Sequence, residues 1–306
     1  MSRATALKML QKATPRIAPT NSLAHLKLRL RVLARAVRYR ADLRQLAAED
    51  SPGLHMIGQE RPQTLIGPLV WPYLCAGWTA PQRLARLRAH YRIVDGLGAP
   101  FPFSSRSKLI LADLDDLHPG LRVVLDQPQW FMREGGLTLN LFVGDFRAYS
   151  LAFSLGRGAQ GIDCMIGSVQ GRNSDEATAI YRDLTKAAHG LRPRDLLIEL
   201  LRILCRHWQV SRLLAVRDSE RHHRHAFFGG KTVAPQNYDA IWQDRGGHLA
   251  DDHFYELPIA SERRADEDIK PNKRSLYRRR YRFLDQMETD IPAGLAAARP
   301  VEFRDL

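Results

Sequence analysis

Cysteine is scarce in this chain, and acidic residues are absent from its first forty positions. Only Cys75, Cys164 and Cys205 occur among 306 residues, isolated and without a CxxC pair. That excludes a disulfide scaffold and a zinc ribbon and fits a reducing cytosol. No run approaches the roughly 18 apolar residues of a membrane span. The opening MSRATALKMLQKATPRIAPT has no apolar segment of a secretory signal. A cytoplasmic protein is expected, peripheral to the inner membrane if it meets one, with no transmembrane segment. GxSxG, SxxK, GxxxxGK[ST] and GxGxxG are missing too, which sets hydrolase, kinase and dehydrogenase aside. No metal is expected: neither carboxylate pairs nor cysteines support His222 with His225, or His248 with His253, as ligands.

Hydrophobic residues make up 44%, enough for a real core. The net charge of +13 is uneven. Residues 1–40 carry ten Lys or Arg, leaving +3 for the other 266. Such a segment suits an anionic membrane surface, nucleic acid or an acidic partner. Residues 1–21, with Pro15 and Pro19, read as a mobile arm. Asn21 and Ser22 are helix caps, and Leu23 to Ala48 has helical periodicity, with Leu26, Leu30, Leu33 and Val37 on one stripe among arginines. This basic amphipathic helix can lie on a membrane or pack on its own domain. With its linker it spans 22–60. A single α/β domain is expected over 61–292 and a tail over 293–306.

The fold class expected is α/β of the α+β kind, with a mixed and largely antiparallel sheet. Helix signals start at Pro81, and Leu109–Leu111 and Arg122–Leu125 read as short strands. Leu137–Val143 and Arg147–Leu155 form a hairpin across Gly144-Asp145. Gly156, Gly158 and Gly161 break the chain before a strand at Ile162–Val169. Helices at 175–188 and 193–208 lead to a strand at Arg212–Val216, which a long helical crossover makes parallel to a partner. Phe254–Pro258 is a last strand. A basic helix follows over about 272–289, with Pro292 as its stop.

Candidate chemistry gathers in the second half. Gly190-Leu191-Arg192-Pro193-Arg194 opens a helix, and free backbone N–H groups with the helix dipole suit a phosphate. Lys186, His189, Arg192 and Arg194 bracket that turn; Arg forks a phosphate, and Lys acts as a point charge. Arg221-His222-His223-Arg224-His225 follows a strand end, where ligands sit in open sheets, so His222 or His225 can be a general base. Glu256 lies inside an apolar strand and is a base if buried, or one half of a salt bridge. Gln170 and Gly171 end a strand and line an acceptor cleft. On the final helix, residues 274, 277, 278 and 281 share a face, so Arg278 and Tyr281 are candidates for substrate contact. The acidic run at Glu262, Asp266, Glu267 and Asp268 is an alternative partner for those arginines.

In element order this resembles the GNAT acyltransferase fold, a meander followed by a strand–helix–strand core. That resemblance implies acyl-coenzyme A at the 190–194 turn. The chain departs from that fold's Q-x-x-G-x-G/A signature and inserts an extra helix before the turn. A broader resemblance rests on Trp71-Pro72-Tyr73, His90-Tyr91, Glu134-Gly135-Gly136-Leu137-Thr138-Leu139, Tyr149-Ser150-Leu151 and Ile166-Gly167-Ser168-Val169-Gln170-Gly171. It continues with Thr185-Lys186-Ala187-Ala188-His189-Gly190-Leu191-Arg192-Pro193, Tyr238-Asp239, Trp242, Phe254-Tyr255-Glu256-Leu257-Pro258 and Lys273 to Tyr281. On these residues the chain resembles the VirK/YbjX family. That implies a Gram-negative bacterial protein, linked to virulence and antimicrobial-peptide tolerance, with no settled reaction. Two functions are expected to compete. One is an acyltransferase using acyl-coenzyme A on an amine or hydroxyl. The other is a non-catalytic binder using the basic arm and the C-terminal helix.

Overall fold

The computed structural model describes residues 3–127, 129–229 and 237–302. Helices come first: α1 (Arg3–Ile17), α2 (Leu23–Arg38), α3 (Arg40–Ala48), α4 (Pro52–Glu60), α5 (Pro62–Ile66) and α6 (Ala80–Asp95). Their starts follow from local chemistry. Ser22 and Ser51 accept the N–H groups of His25 and Leu54, and Thr79 with Gln82 closes a capping box.

A sheet follows, built from β1 (Lys108–Asp113), β2 (Leu121–Asp126), β3 (Leu137–Val143), β4 (Phe146–Gly158) and β5 (Gly161–Gly171) as a meander. Then come α7 (Asp175–Ala187), α8 (Pro193–His207), β6 (Val210–Val216), α9 (Tyr238–Asp244), β7 (His248–Leu249), β8 (Phe254–Leu257) and α10 (Pro271–Ala297). The strand order is β1-β2-β3-β4-β5-β6-β8-β7. Every neighbouring pair is antiparallel except β5 and β6, which run parallel. The helical crossover between β5 and β6 requires that direction, as the sequence reading expected.

The two faces of β4 place the sheet between helical layers. Successive strand residues point to opposite sides. Phe153 stacks on Trp208 at the end of α8, whereas Ser154 bonds to Tyr73 of the N-terminal region at 2.6 Å. Consequently β3 is buried on both faces, and α8 buries even Asp195, Glu199 and Arg202. Arg202 donates to Glu199 at 2.8 Å and to the Arg245 carbonyl at 2.8 Å, which satisfies charge inside the core.

β5 and β6 pair only over Ile162–Ile166 and Val210–Ala215. Past Ile166 they separate. The Tyr238 hydroxyl fills the gap: it accepts the Val169 N–H at 3.0 Å and donates to the Val169 carbonyl at 3.1 Å. A single side chain thus replaces a missing strand partner at the point where the sheet opens.

Several boundaries differ from the sequence reading. Residues 3–17 are not a mobile arm but helix α1, anchored by buried Ala13 and Ile17; Pro15 lies inside its last turn. The long helix expected over Leu23–Ala48 breaks at Tyr39. Pro292 does not stop the final helix, which continues to Ala297. There Ile291 and Leu295 are buried and Gly294 lies against the Leu111 backbone, so packing outweighs the lost hydrogen bond. Residues 293–302 are therefore no free tail, and Val301 exchanges backbone bonds with Lys108. Gly156 and Gly158 sit inside β4, because side chains there would strike Met165 and Asp163. Among the described residues no helix is long and apolar enough to cross a membrane.

Candidate functional site

The turn between α7 and α8 is set by its backbone. His189 and Gly190 both take positive φ, at 52° and 83°, which reverses the chain before Pro193 enters α8 in its first turn. Arg192 is the N-cap and makes no side-chain capping bond, so the α8 N-terminus keeps its partial positive charge outward. Arg192, Arg194, Arg245 and Arg280 line a cavity of about 700 Å³ here, together with Asp195, Asp244 and Tyr149. Four guanidinium groups against two carboxylates leave a net charge of about +2 in the cavity, the charge of a phosphate dianion reversed.

The cavity's own contacts fix those cations. Arg194 donates to Asp195 at 2.9 Å, and Arg245 donates to Asp244 at 2.8 Å. The Arg245 bond holds the Asp244 carboxyl below its ordinary range, and Arg194 and Arg192 add to this. Arg280 donates twice to the His189 carbonyl, at 3.0 and 2.9 Å, with its guanidinium 4.4 Å from the Tyr277 ring centre. Lys186 lines an adjoining cavity of about 670 Å³ with Arg192, Pro193 and Arg194.

Tyr149 lines both of those cavities and a third of about 260 Å³, walled by Gln170, Gly171 and Phe131. Burial pushes the Tyr149 phenol up to about 12, so it stays a neutral wall. Gln170 connects this last pocket to a buried carboxylate. Its amide donates to Glu134 Oε2 at 3.1 Å, and Ser168 donates to the same oxygen at 2.8 Å. The other oxygen, Oε1, is 3.1 Å from His222 Nδ1.

Glu134 reaches that place through close backbone approaches. A side chain on Gly167 would put its Cβ 1.9 Å from the Glu134 carbonyl, and one on Gly135 would meet the Phe153 backbone at 2.5 Å. Burial raises the Glu134 carboxyl to about 7, with the Ser168 bond, Arg221 and Arg133 opposing it. Burial also lowers His222 to about 3, helped by His223, Arg133 and Arg221. Burial thus keeps His222 neutral near neutral pH and leaves Glu134 divided between its two forms, so the 3.1 Å contact is not a fixed ion pair. Around it, Arg133 lies 4.6 Å from the Trp71 ring centre, and Arg221 lies 3.9 Å from that of Tyr238.

The structure gathers some of the residues singled out from the sequence and separates others. Gly190, Arg192 and Arg194 line the basic cavity, with Lys186 and Pro193 at its flank; Leu191 is buried below and walls a neighbouring space. Gln170 and Gly171 wall the far pocket, whereas His222 lines none of the three cavities and meets Glu134, the carboxylate that Gln170 holds. His189 contributes its carbonyl, while its ring packs on Phe283 among arginines that lower its proton affinity after burial does. His225 is held structurally, with Nδ1 accepting the Phe227 N–H at 3.0 Å and Nε2 3.1 Å from Arg83. Glu256 stands opposite Leu214 and His248 on the sheet, not among residues lining the cavity. Arg278 bonds to exposed Asp266 at 2.5 Å, the acidic-run alternative, and Tyr281 accepts the Arg264 N–H at 3.1 Å while lining a neighbouring space of about 430 Å³. The α10 residues in the basic cavity are Tyr277 and Arg280, one step round the helix from the expected pair. Arg245 and Glu134 were missed as site residues; Glu134 carried one local signal, a lone carboxylate before Gly135-Gly136 and an apolar strand.

One trio among the described residues has metal-ligand chemistry: the donor atoms of Cys75, Glu220 and His253 lie within 4.8 Å of one another. Glu220 Oε2 already accepts from the Cys75 thiol at 3.2 Å and the Gly77 N–H at 2.9 Å, with His253 Nδ1 at 3.2 Å. Of these contacts the Cys75 and Gly77 ones are hydrogen bonds, whereas His253 Nδ1 has no hydrogen-bond partner among the described residues.

Comparison with known proteins gives relatives rather than a reaction. Two uncharacterized proteins of Haemophilus influenzae are each 35% identical, over 127 and 131 residues. Those matches cover 42% and 43% of this chain and the same shares of the relatives, so the chain spans under half the length of each. The uncharacterized protein YbjX of Escherichia coli is 27% identical over 248 residues, 78% of this chain and 74% of that protein. No solved structure matches. Residues 21–293 match the model of a family described as a protein of unknown function, DUF535. That match takes in the sheet, the basic cavity and the Glu134–His222 pair alike, and the chain belongs to the DUF535 family, the family of YbjX.

Proposed function

We propose that the protein binds a phosphorylated acyl donor of the acyl-coenzyme A type and transfers its acyl group to an amine or hydroxyl. The observation that carries this reading is the position of Tyr149. It joins the four-arginine cavity at the α8 N-terminus to the pocket walled by Gln170, whose amide holds Glu134. Phosphate chemistry at one end and a proton acceptor at the other are what acyl transfer from such a donor needs.

The cavity's net positive charge and the uncapped α8 N-terminus suit the donor's phosphates. When bound, the donor supplies a thioester carbonyl for attack. The acceptor nitrogen or oxygen forms a bond to the acyl carbon, the carbon–sulfur bond breaks, and the departing sulfur leaves as a thiol. His222 Nε2 takes the acceptor's proton while Nδ1–H donates to ionised Glu134, and the proton is returned to the departing sulfur. Glu134 orients and charges the imidazole, as a carboxylate does in a His–acid pair. Ser168 and Gln170 hold Glu134 in place.

The test is thiol release from acetyl-coenzyme A in the presence of a panel of small amines. Release that needs both protein and acceptor, and that Glu134→Gln and His222→Ala abolish while the fold survives, supports the reading. Release at wild-type rate in both variants overturns it.

A further inference from the structure

The amphipathic helix predicted for residues after Ser22 exists, but it faces the wrong way for a core helix. On α2 the buried residues are Val32 and Ala36. The large apolar side chains point outward: Leu23 is 68% exposed, Leu26 50%, Leu30 59%, Leu33 44% and Val37 66%. At about 100° per residue, these five fall within an arc of roughly 80°. An exposed apolar row of this kind on one face marks an interaction surface.

Charge decides what the row meets. Lys27, Arg31 and Arg38 are exposed and lie along one flank of it. Arg29 and Arg35 are turned inward to the carbonyls of Ala18 and Leu69, at 3.0 and 2.7 Å, and hold the helix on the domain. No acidic residue occurs in the first forty. A second copy meeting this face about a two-fold axis would bring like charges together. An anionic bilayer satisfies the row and its flank at once: the leucines enter the acyl boundary and the cations meet headgroups.

We infer that α2 is a membrane-surface docking face, on which the protein lies with Leu23, Leu26, Leu30, Leu33 and Val37 in the interface of an anionic bilayer. The inference stands on α2 alone and does not depend on acyl transfer. On its inward side α2 contacts the turn around Leu69. Arg35 holds Leu69, and Arg83, which feels the charge of Arg35, sits 3.1 Å from His225.

The experiment is flotation of the full chain with vesicles of phosphatidylglycerol and phosphatidylcholine, and with vesicles of phosphatidylcholine alone. Leu26→Gln with Leu30→Gln, and Lys27→Glu with Arg31→Glu, are run beside it, with melting curves as a check on folding; Leu249→Gln, an exposed leucine on β7, serves as the comparison. The expected result is flotation with anionic vesicles and about tenfold less with neutral ones, with the leucine pair and the charge pair each lowering the anionic partition about tenfold or more. Leu249→Gln floats as the wild type does. Absence of flotation at low salt, or a leucine pair that floats as well as the wild type, overturns the inference. A self-associated species in light scattering that the leucine pair dissolves, without flotation, also overturns it and assigns the face to a second copy.

Discussion

Replacing Glu134 by Gln should change stability in a pH-dependent way, and the direction follows from the buried pair. The carboxyl rises from 4.5 to about 7 on folding, so the folded state holds a proton that the unfolded state has already released between those values. The Glu134 contribution to wild-type stability therefore falls as pH rises through that window, by about 1.4 kcal/mol per pH unit and about 3 kcal/mol in all as an upper bound. Gln mimics the protonated acid: its carbonyl accepts from Ser168 and Gln170, and its amide donates to His222 Nδ1. The His222 contribution has the opposite sign but is shared by both proteins, so it largely cancels in their difference. Urea denaturation from about pH 4 to about pH 8 should show Glu134→Gln equal to wild type at the acid end and more stable by up to about 3 kcal/mol at the alkaline end. A difference that does not vary with pH, or a wild type that gains on the variant as pH rises, would refute a raised Glu134.

Further outcomes follow from single contacts. Gly167→Ala forces a Cβ onto the Glu134 carbonyl and should cost about 2 kcal/mol or more in chemical denaturation. Tyr238→Phe strips both Val169 backbone groups of their partner and should cost about 1–3 kcal/mol, with faster hydrogen exchange of the Val169 amide as its local signature. Any acyl-transfer rate should rise with pH through about 7 and then level off, because His222 Nε2 is a base only when Glu134 is ionised; a rate that falls over that range contradicts the assignment.

Local pattern carried most of the sheet. Leu137–Val143, the Gly144-Asp145 turn and the strand after it are apolar runs with turn residues between them, and the hairpin follows from that alone. The Arg192-Pro193-Arg194 turn was legible for the same reason, since a proline at a helix start is a local event. Periodicity found the α2 stripe but could not tell which way it faces. The core side is supplied by Val32 and Ala36, small enough to pack closely, while the leucines are left outside. Glu134 was illegible because its burial comes from Gly167 and Gly135, whose role is close backbone approach across strands far apart in sequence. Arg280 rather than Arg278 reaches the cavity because Asp266 claims Arg278 on the solvent side.

The most direct measurement is calorimetric titration of nuclease-treated protein with coenzyme A and acetyl-coenzyme A, on wild type and on Arg192→Ala with Arg194→Ala. The account predicts saturable binding at a micromolar Kd, about 8 kcal/mol, that survives moderate salt and weakens by about tenfold or more in the double variant. Absence of binding to the wild type, or equal binding by the double variant, would contradict it.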